Sequence, residues 1–322
     1  MLELCRARLD SVAFRRQLRG ELLRFVKFDA YCVNTVDPET LVITSSIGDG
    51  LSEPAARRLF ELEETGTDFN PLTALARGPT HVATLAQATA GDVSRSQRMR
   101  ELFLPLGFGD ELRAALVIDG HCWGYLHLFR ASTRPVFDAT DVVRVERARA
   151  LVGGALRAAC LVGARPPVAR VPAVLLLDAQ GDLVAENVAA RAWLTELAGD
   201  VGGTLPHPVH AVRSRVRAGA AAARYRTPAG EWLAFHGSSL RGGVALLLGT
   251  PGARELAPLL LLAHGLTARE REVGSLLLGG RSNADIATML GISLHTTKDH
   301  VKAILAKTHA ANRAEFAARF AV

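Results

Sequence analysis

The run Leu266-Thr-Ala-Arg-Glu-Arg-Glu-Val273, followed by Gly280-Arg-Ser-Asn-Ala-Asp-Ile-Ala287 and Leu290-Gly-Ile-Ser-Leu-His-Thr-Thr-Lys-Asp-His300, decides how the chain is read. Thr267 and Glu270 have capping-box spacing: the hydroxyl accepts from a free amide and the carboxylate reaches back. They open a predicted helix over about 267–278, which Gly279-Gly280 ends. Ser282-Asn-Ala-Asp285 opens a second helix through Leu290. Gly291 supplies a tight turn, and Ser293 caps a third helix over about 293–308. Two short helices joined by a glycine turn, the second of them basic, describe a helix-turn-helix.

A helical wheel gives the third helix two sides. Leu294, Thr297, Val301, Ile304 and Leu305 form the inner stripe. His295, Asp299, Lys302, Ala303 and Ala306 project outward, with Lys298 at one edge of that face and His300 and Lys307 at the other. Small and basic side chains on one helix face suit entry into a major groove, with flanking lysines on phosphates. Asp299 is tolerable there as an acceptor from a cytosine amino group. The plainer reading, a solvated surface helix, leaves the coincidence of caps, turn and basic face unexplained. The chain has 322 residues and net charge +6. Residues 254–322 hold nine basic and six acidic side chains, and three of the chain's four lysines are Lys298, Lys302 and Lys307. That local basic surface is the footprint of a nucleic-acid reader.

These residues resemble the LuxR-type DNA-binding domain over about 55 positions. The resemblance implies a four-helix domain whose third helix reads the major groove and whose fourth, about 312–320, supports dimerisation. Glu270, Ile286, Ala287 and Leu290 match scaffold positions. Ser293, Thr296, Lys298, His300 and Lys307 match recognition-helix positions, and His295, Asp299 and Lys302 join them from the wheel as DNA-binding candidates. Gly274 stands where leucine is usual, Thr297 where valine is, and Thr308-His309-Ala310 where Leu-Gly-Val is. These departures bear on helix packing.

Upstream, residues 3–27 predict one helix. Strand-like runs at 29–34 and 41–46 flank Asp37-Pro38-Glu39 as a hairpin, with helices over 53–64 and 94–104. Residues 111–118 and 121–130 form a second hairpin about Asp119-Gly120. Strict alternation puts His121, Trp123, Tyr125, His127 and Phe129 on one face of it. A long helix over 138–162 follows, then a linker at 165–172 rich in proline. Strands at 173–177 and 183–186, a helix over 188–198 and strands at 222–227 and 231–249, broken at Arg241-Gly-Gly243, make a second small unit. A connector around 251–258 leads to the helical end.

Phe28-Asp29, Thr35-Val-Asp-Pro38, Asp110-Glu-Leu-Arg113, Cys122-Trp-Gly124 and Phe137-Asp-Ala-Thr140 make residues 1–163 similar to GAF-like sensor domains. Leu177-Asp-Ala-Gln-Gly181, Glu186-Asn187 and Gly230-Glu-Trp232 make 172–250 similar to PAS-like domains. The expected fold is multidomain α+β: two antiparallel-sheet sensor units, 1–163 and 172–250, then an all-α four-helix unit over 258–322. Arginine-heavy, lysine-poor composition points to a GC-rich, actinobacterial source.

The expected function is sequence-specific DNA-binding transcription regulation by a homodimer, with double-stranded DNA and RNA polymerase as partners. A small-molecule effector would sit on the first sheet, lined by Tyr31, Phe69, Trp123 and Tyr125. The alternative is a ligand-independent regulator, its N-terminal units a dimerisation or docking platform. A redox sensor through Cys32 or Cys122 is a lesser variant, since lone strand cysteines act as small apolar residues. The third class, an enzyme with a DNA-binding tail, lacks support. The sequence holds no Gly-x-Ser-x-Gly elbow, phosphate loop, dinucleotide fingerprint or His-Glu-x-x-His. The pairs Glu63-Glu64 and Asp110-Glu111 read as solvated faces. No catalytic residue and no cofactor are expected. The four scattered cysteines and His207 and His210, read as a loop pair, give no metal site. No apolar run is long enough for a membrane span and the N-terminus is no secretory signal, so the expected setting is cytoplasmic.

Overall fold

The computed structural model describes residues 1–48, 52–163, 170–198, 205–216, 221–227 and 229–320. The predicted linker therefore lies outside the described residues as far as residue 169. So do residues 217–220, Pro228, and the side chains of Glu64 and His207.

The predicted first helix is two, α1 (Leu2–Arg6) and α2 (Ser11–Leu23). The break has a local cause: the Asp10 carboxylate accepts from the amides of Val12 and Ala13, which starts a new helix. Strands β1 (Ala30–Val36) and β2 (Ile43–Gly48) form the first hairpin. Then come α3 (Glu53–Thr65), α4 (Leu72–Arg77), β3 (Val82–Thr84) and α5 (Leu85–Ala88). The helix expected over 94–104 is a 3-10 turn and a π-helical turn, Met99–Phe103. The second hairpin is β4 (Phe108–Ile118) and β5 (His121–Ala131), turning at Asp119 and Gly120, whose φ values are 51° and 76°. Positive φ at both central residues suits the right-handed twist of the strands. Helix α6 (Ala139–Ala159) is opened by a capping box between Asp138 and Asp141. The first sheet runs β2-β1-β5-β4-β3, antiparallel throughout.

One expectation for this sheet fails. Ala115 pairs with Tyr125 but Val117 pairs with Cys122, so β5 carries an extra residue there. This bulge exchanges the faces of everything before it. Trp123 joins Tyr31, Leu126 and Leu128 in the core beneath α2 and α6. Cys122 and Tyr125 join Leu72, Leu75 and Ala76 on the opposite face. Gly124 is obligatory at the bulge: a Cβ would stand 2.2 Å from the Asn34 carbonyl oxygen and 2.8 Å from a Leu156 methyl.

The second unit holds β6 (Ala173–Asp178), β7 (Leu183–Glu186), α7 (Val188–Ala198), α8 (His207–Val216), β8 (Ala221–Arg226), β9 (Trp232–Leu240) and β10 (Gly243–Gly249). Helix α8 is absent from the expectation, and it places His210 in a buried helix rather than a loop. This sheet runs β7-β6-β10-β9-β8, so both units share one strand order. Helices α7 and α8 cover its inner face.

The expected connector around 251–258 is instead a helix, α9 (Ala253–Ala263), with Pro258 inside it. Leu256, Leu259 and Ala263 lie in the core of the first unit, while Ala257 and Leu261 lie in the core of the helical end. Burial on both sides offsets the backbone hydrogen bond that proline forfeits. The end itself is α10 (Ala268–Leu278), α11 (Asn283–Leu290), α12 (Leu294–Lys307) and α13 (Arg313–Phe320).

Candidate nucleic-acid interface

The caps anticipated from sequence set the start of each helix. Thr267 and Glu270 form a reciprocal box, as do Ser282 and Asp285. Gly291 takes φ 63° at the turn between α11 and α12. The Ser293 hydroxyl accepts from the Thr296 amide at 3.0 Å. With its caps satisfied, α12 is held against α10 and α11 by a short apolar seam: Thr297 and Ile304 are buried, and Val301 and Leu305 half-buried. Leu294 does not join this seam; it is 46% exposed in the first turn.

Of the residues the wheel places outward, His295, Asp299, Lys302 and Ala306 are exposed and Ala303 is half-buried. Thr296 and Lys298 are also exposed, His300 is half-buried, and Ser293 is exposed with its hydroxyl engaged in the cap. The His295 Nε2 lies 3.7 Å from an Asp299 carboxylate oxygen, one turn along. Lys307 differs from the other two lysines: its ammonium donates to both oxygens of Glu270. Burial alone would raise the Glu270 carboxyl, but bonds from Lys307 and from the Thr267 amide outweigh it and hold it below its ordinary value. Glu270 thus joins the opening of α10 to the end of α12.

The departures from the family pattern have local answers. A Cβ at Gly274 would meet the Leu261 methyls at 3.5 and 3.6 Å, so α9 fills the space a larger side chain would use. The hydroxyls of Thr297 and Thr308 are buried and donate to the carbonyls of Ser293 and Ile304. His309 takes φ 53°, left-handed backbone that glycine adopts without strain. In α13, Phe316 and Phe320 are buried, ring centroids 4.9 Å apart, so its aromatic face serves the core.

The four residues expected to line an effector pocket are not brought together. Tyr31 and Trp123 lie beneath α2 and α6. Tyr125 is on the other face, and Phe69 packs farther along that face, under the Arg95 guanidinium at 5.3 Å. That second face carries instead a buried ionic cluster. Glu111 accepts from Arg98 at 2.8 Å, Arg113 at 2.8 Å and His127 at 3.0 Å, and Arg113 also pairs with Glu63. Burial would raise the Glu111 carboxyl, yet the two arginines and His127 hold it well below its ordinary range. Asp110-Glu111 is therefore not a solvated face, and Glu63 is not one either. Glu63 and Glu111 serve this cluster, and Asp110 accepts from the amides of Ala86, Glu111 and Phe137. A charged doublet in a strand-like run gave no sign of partners so far away in the chain.

Residues 264–320 match the family described as bacterial regulatory proteins, luxR family. The chain thus ends in a helix-turn-helix domain of that family. It is 48% identical over 54 residues to the monoamine regulon transcriptional regulator of Klebsiella aerogenes, a match covering 17% of this chain and 24% of that protein. The chain spans about a quarter of the length of that relative. Among solved structures it is similar to the VqsR LBD domain of Pseudomonas aeruginosa, at 20% identity and TM-score 0.35, over 47% of this chain and 87% of that one. It is also similar to Escherichia coli SdiA, at 12% identity and TM-score 0.34, over 98% and 92%. Likenesses this loose say nothing of what the chain binds. No helix among the described residues is long and apolar enough to cross a membrane.

Proposed function

We propose that the chain is a cytoplasmic, sequence-specific transcription regulator that binds double-stranded DNA as a homodimer through α12. One observation carries the reading. On a scaffold matched by the luxR family, α12 presents Lys298 and Lys302 on one exposed face beside Thr296, His295 and Asp299. Lys298 and Lys302 meet phosphates, Asp299 accepts from a cytosine amino group, and exposed Leu294 is placed to meet a thymine methyl. Ser293, Thr296 and His300 set the depth of the helix in the groove. Lys307 acts by holding α12 to α10.

In this reading residues 1–163 are a GAF-like unit and 172–250 a PAS-like unit of an actinobacterial type of regulator. Their shared strand order supports the pairing of the two. They sense a small molecule and report it through α9, whose two sides lie in two different cores. Selection from a randomised duplex library with the full chain tests this. An enriched site with two-fold symmetry is expected, and a library that stays random would refute sequence-specific binding.

A further inference from the structure

At one end of the first sheet, the β1–β2 turn, the end of α4, the approach to β3 and the β4–β5 turn enclose a cleft of about 630 Å³, with α6 on its flank. That lies within the ~300–1,000 Å³ of small-molecule sites. Its apolar walls are Leu41, Ala76, Val117 and Cys122, each at 9% exposure or less. Burial pushes the Cys122 thiol up to about 11, so it stays protonated and counts as apolar surface. Leu41 holds left-handed backbone at φ 60°, and strained residues of this kind gather at ligand sites.

Two arginines on the walls have donors to spare. Arg77, at the end of α4, is exposed and forms no ion pair or side-chain hydrogen bond among the described residues. Arg149 of α6 is 18% exposed. It uses Nε on Glu146 and Nη1 on the Val117 carbonyl at 2.9 Å, which leaves Nη2 without a partner among the described residues. The two acids on the walls are already answered by arginines that do not line the cleft. Glu39 pairs with Arg224 at 2.8 Å and Asp119 with Arg157 at 2.7 Å. His81 is tied through Nδ1 to the Leu75 carbonyl at 2.7 Å. Arg77 therefore brings an unpaired positive charge to an apolar floor.

We propose that this cleft binds an organic acid, a single carboxylate on an apolar body of small-drug size. The carboxylate accepts from the planar forks of Arg77 and Arg149, and the body covers Leu41, Val117 and Cys122. This deepens the sensing part of the proposed function and rests on it. One rim of the cleft lies beside the DNA-binding domain. Arg157, the partner of Asp119, stands 3.6 Å from where a Cβ on Gly265 would be, and His121, just after the turn, lies 3.5 Å from Arg271 of α10.

The full chain is titrated by calorimetry with 2-naphthoate, 4-phenylbutanoate, 2-naphthamide and inorganic phosphate at constant ionic strength, and Tm is read in parallel. Each acid is expected to bind saturably and to raise Tm. The amide should bind about tenfold more weakly than its acid, and phosphate should not saturate. Arg77→Gln should weaken both acids about tenfold, the loss of one charge-assisted hydrogen bond. Arg77 is exposed and unpaired, so the unliganded variant should keep its Tm. Arg191→Gln, at an exposed arginine of α7 in the second unit, should leave acid affinity unchanged. Saturation by neither acid, equal binding of the amide, phosphate binding as tight as the acids, or undiminished affinity in Arg77→Gln would overturn the proposal; a cleft that holds only water gives the first of these. Saturable acid binding by a chain that selects no DNA sequence would uphold the site and refute the regulator instead. Selection of a DNA site by a chain that binds neither acid would do the reverse.

Discussion

The Lys307 ammonium sits 2.6 and 2.9 Å from the two carboxylate oxygens of Glu270, closing α10 and α12 into one unit. A lysine so held has little left for a phosphate, whereas Lys302, earlier in α12 and exposed on its outer face, can meet one. The two should therefore separate in experiment. Lys302→Ala should lower the slope of log affinity against log salt by about one, without changing Tm. Lys307→Ala should leave the slope alone and cost about 1 kcal/mol of stability, modest because the lysine is partly exposed. Anisotropy across a salt series, with melting curves, reads both, and a slope change for Lys307→Ala would contradict the assignment.

Asp299 is the one acid on the reading face, and the Nε2 of the exposed His295 lies 3.7 Å from its carboxylate. Asp299→Ala should relax preference at one base pair per half-site, by about 1–3 kcal/mol of discrimination. Selection sequencing of the variant checks this. A preference unchanged at every position would mean that Asp299 reads no base.

His309 holds a left-handed backbone at φ 53°. A residue with a Cβ costs about 1–3 kcal/mol there, and glycine loses about 0.5–1 kcal/mol of that advantage to chain entropy. His309→Gly should therefore raise stability by up to about 2.5 kcal/mol and leave DNA affinity unaltered. A lower Tm in calorimetry would show that the imidazole contributes more than the strained backbone costs.

Two carboxylates buried in ion pairs shape the acid limb of the pH dependence. Glu111 and Glu270 both lie below the ordinary 4.5 when folded. A depressed carboxyl contributes its full stability above the unfolded value and loses it as pH falls through the folded one. His264 and His121, lowered by burial, should begin to reduce Tm below about pH 6.5, and the two carboxylates should steepen the fall below about 4.5. The steeper loss should belong to Glu111, whose protonation removes the carboxylate that Arg98 and Arg113 share in the core. A Tm flat down to pH 3 would contradict the role given to these ion pairs.

Arg224 of β8 binds Asp37 and Glu39 of the first hairpin and donates to the Glu255 carbonyl of α9 at 3.1 Å. Arg224→Met should cost about 3–5 kcal/mol by leaving Asp37 buried and unpaired. The expected signature is a separate, earlier unfolding step of the second unit in urea. A single transition with unchanged midpoint would remove this contact as a tie between units.

The features legible in the sequence are those written locally. Thr267 with Glu270, Ser282 with Asp285, Gly291 and Ser293 each signal within four residues, and all sit where the spacing puts them. The Asp119-Gly120 turn is of the same kind. The misses are long-range. The bulge at Trp123 and Gly124 depends on the Asn34 carbonyl and Leu156 in other elements, so alternation along β5 alone misassigned a face. Pro258 read as a break because the apolar surface that overrides it belongs to two other cores. For the interface, the outer face of α12 was legible from its period. The withdrawal of Lys307 was not, since Glu270 lies 37 residues earlier.

Everything proposed for DNA recognition depends on α12 entering the major groove. Guanine N7 lies there, so methylation interference on the selected duplex is the most direct test. Two clusters of interfering guanines are predicted, symmetric about the site centre and about 10 base pairs apart, and they should lose their effect in Lys298→Ala/Lys302→Ala. Binding undisturbed by N7 methylation, with the selected sequence still preferred, would contradict major-groove entry.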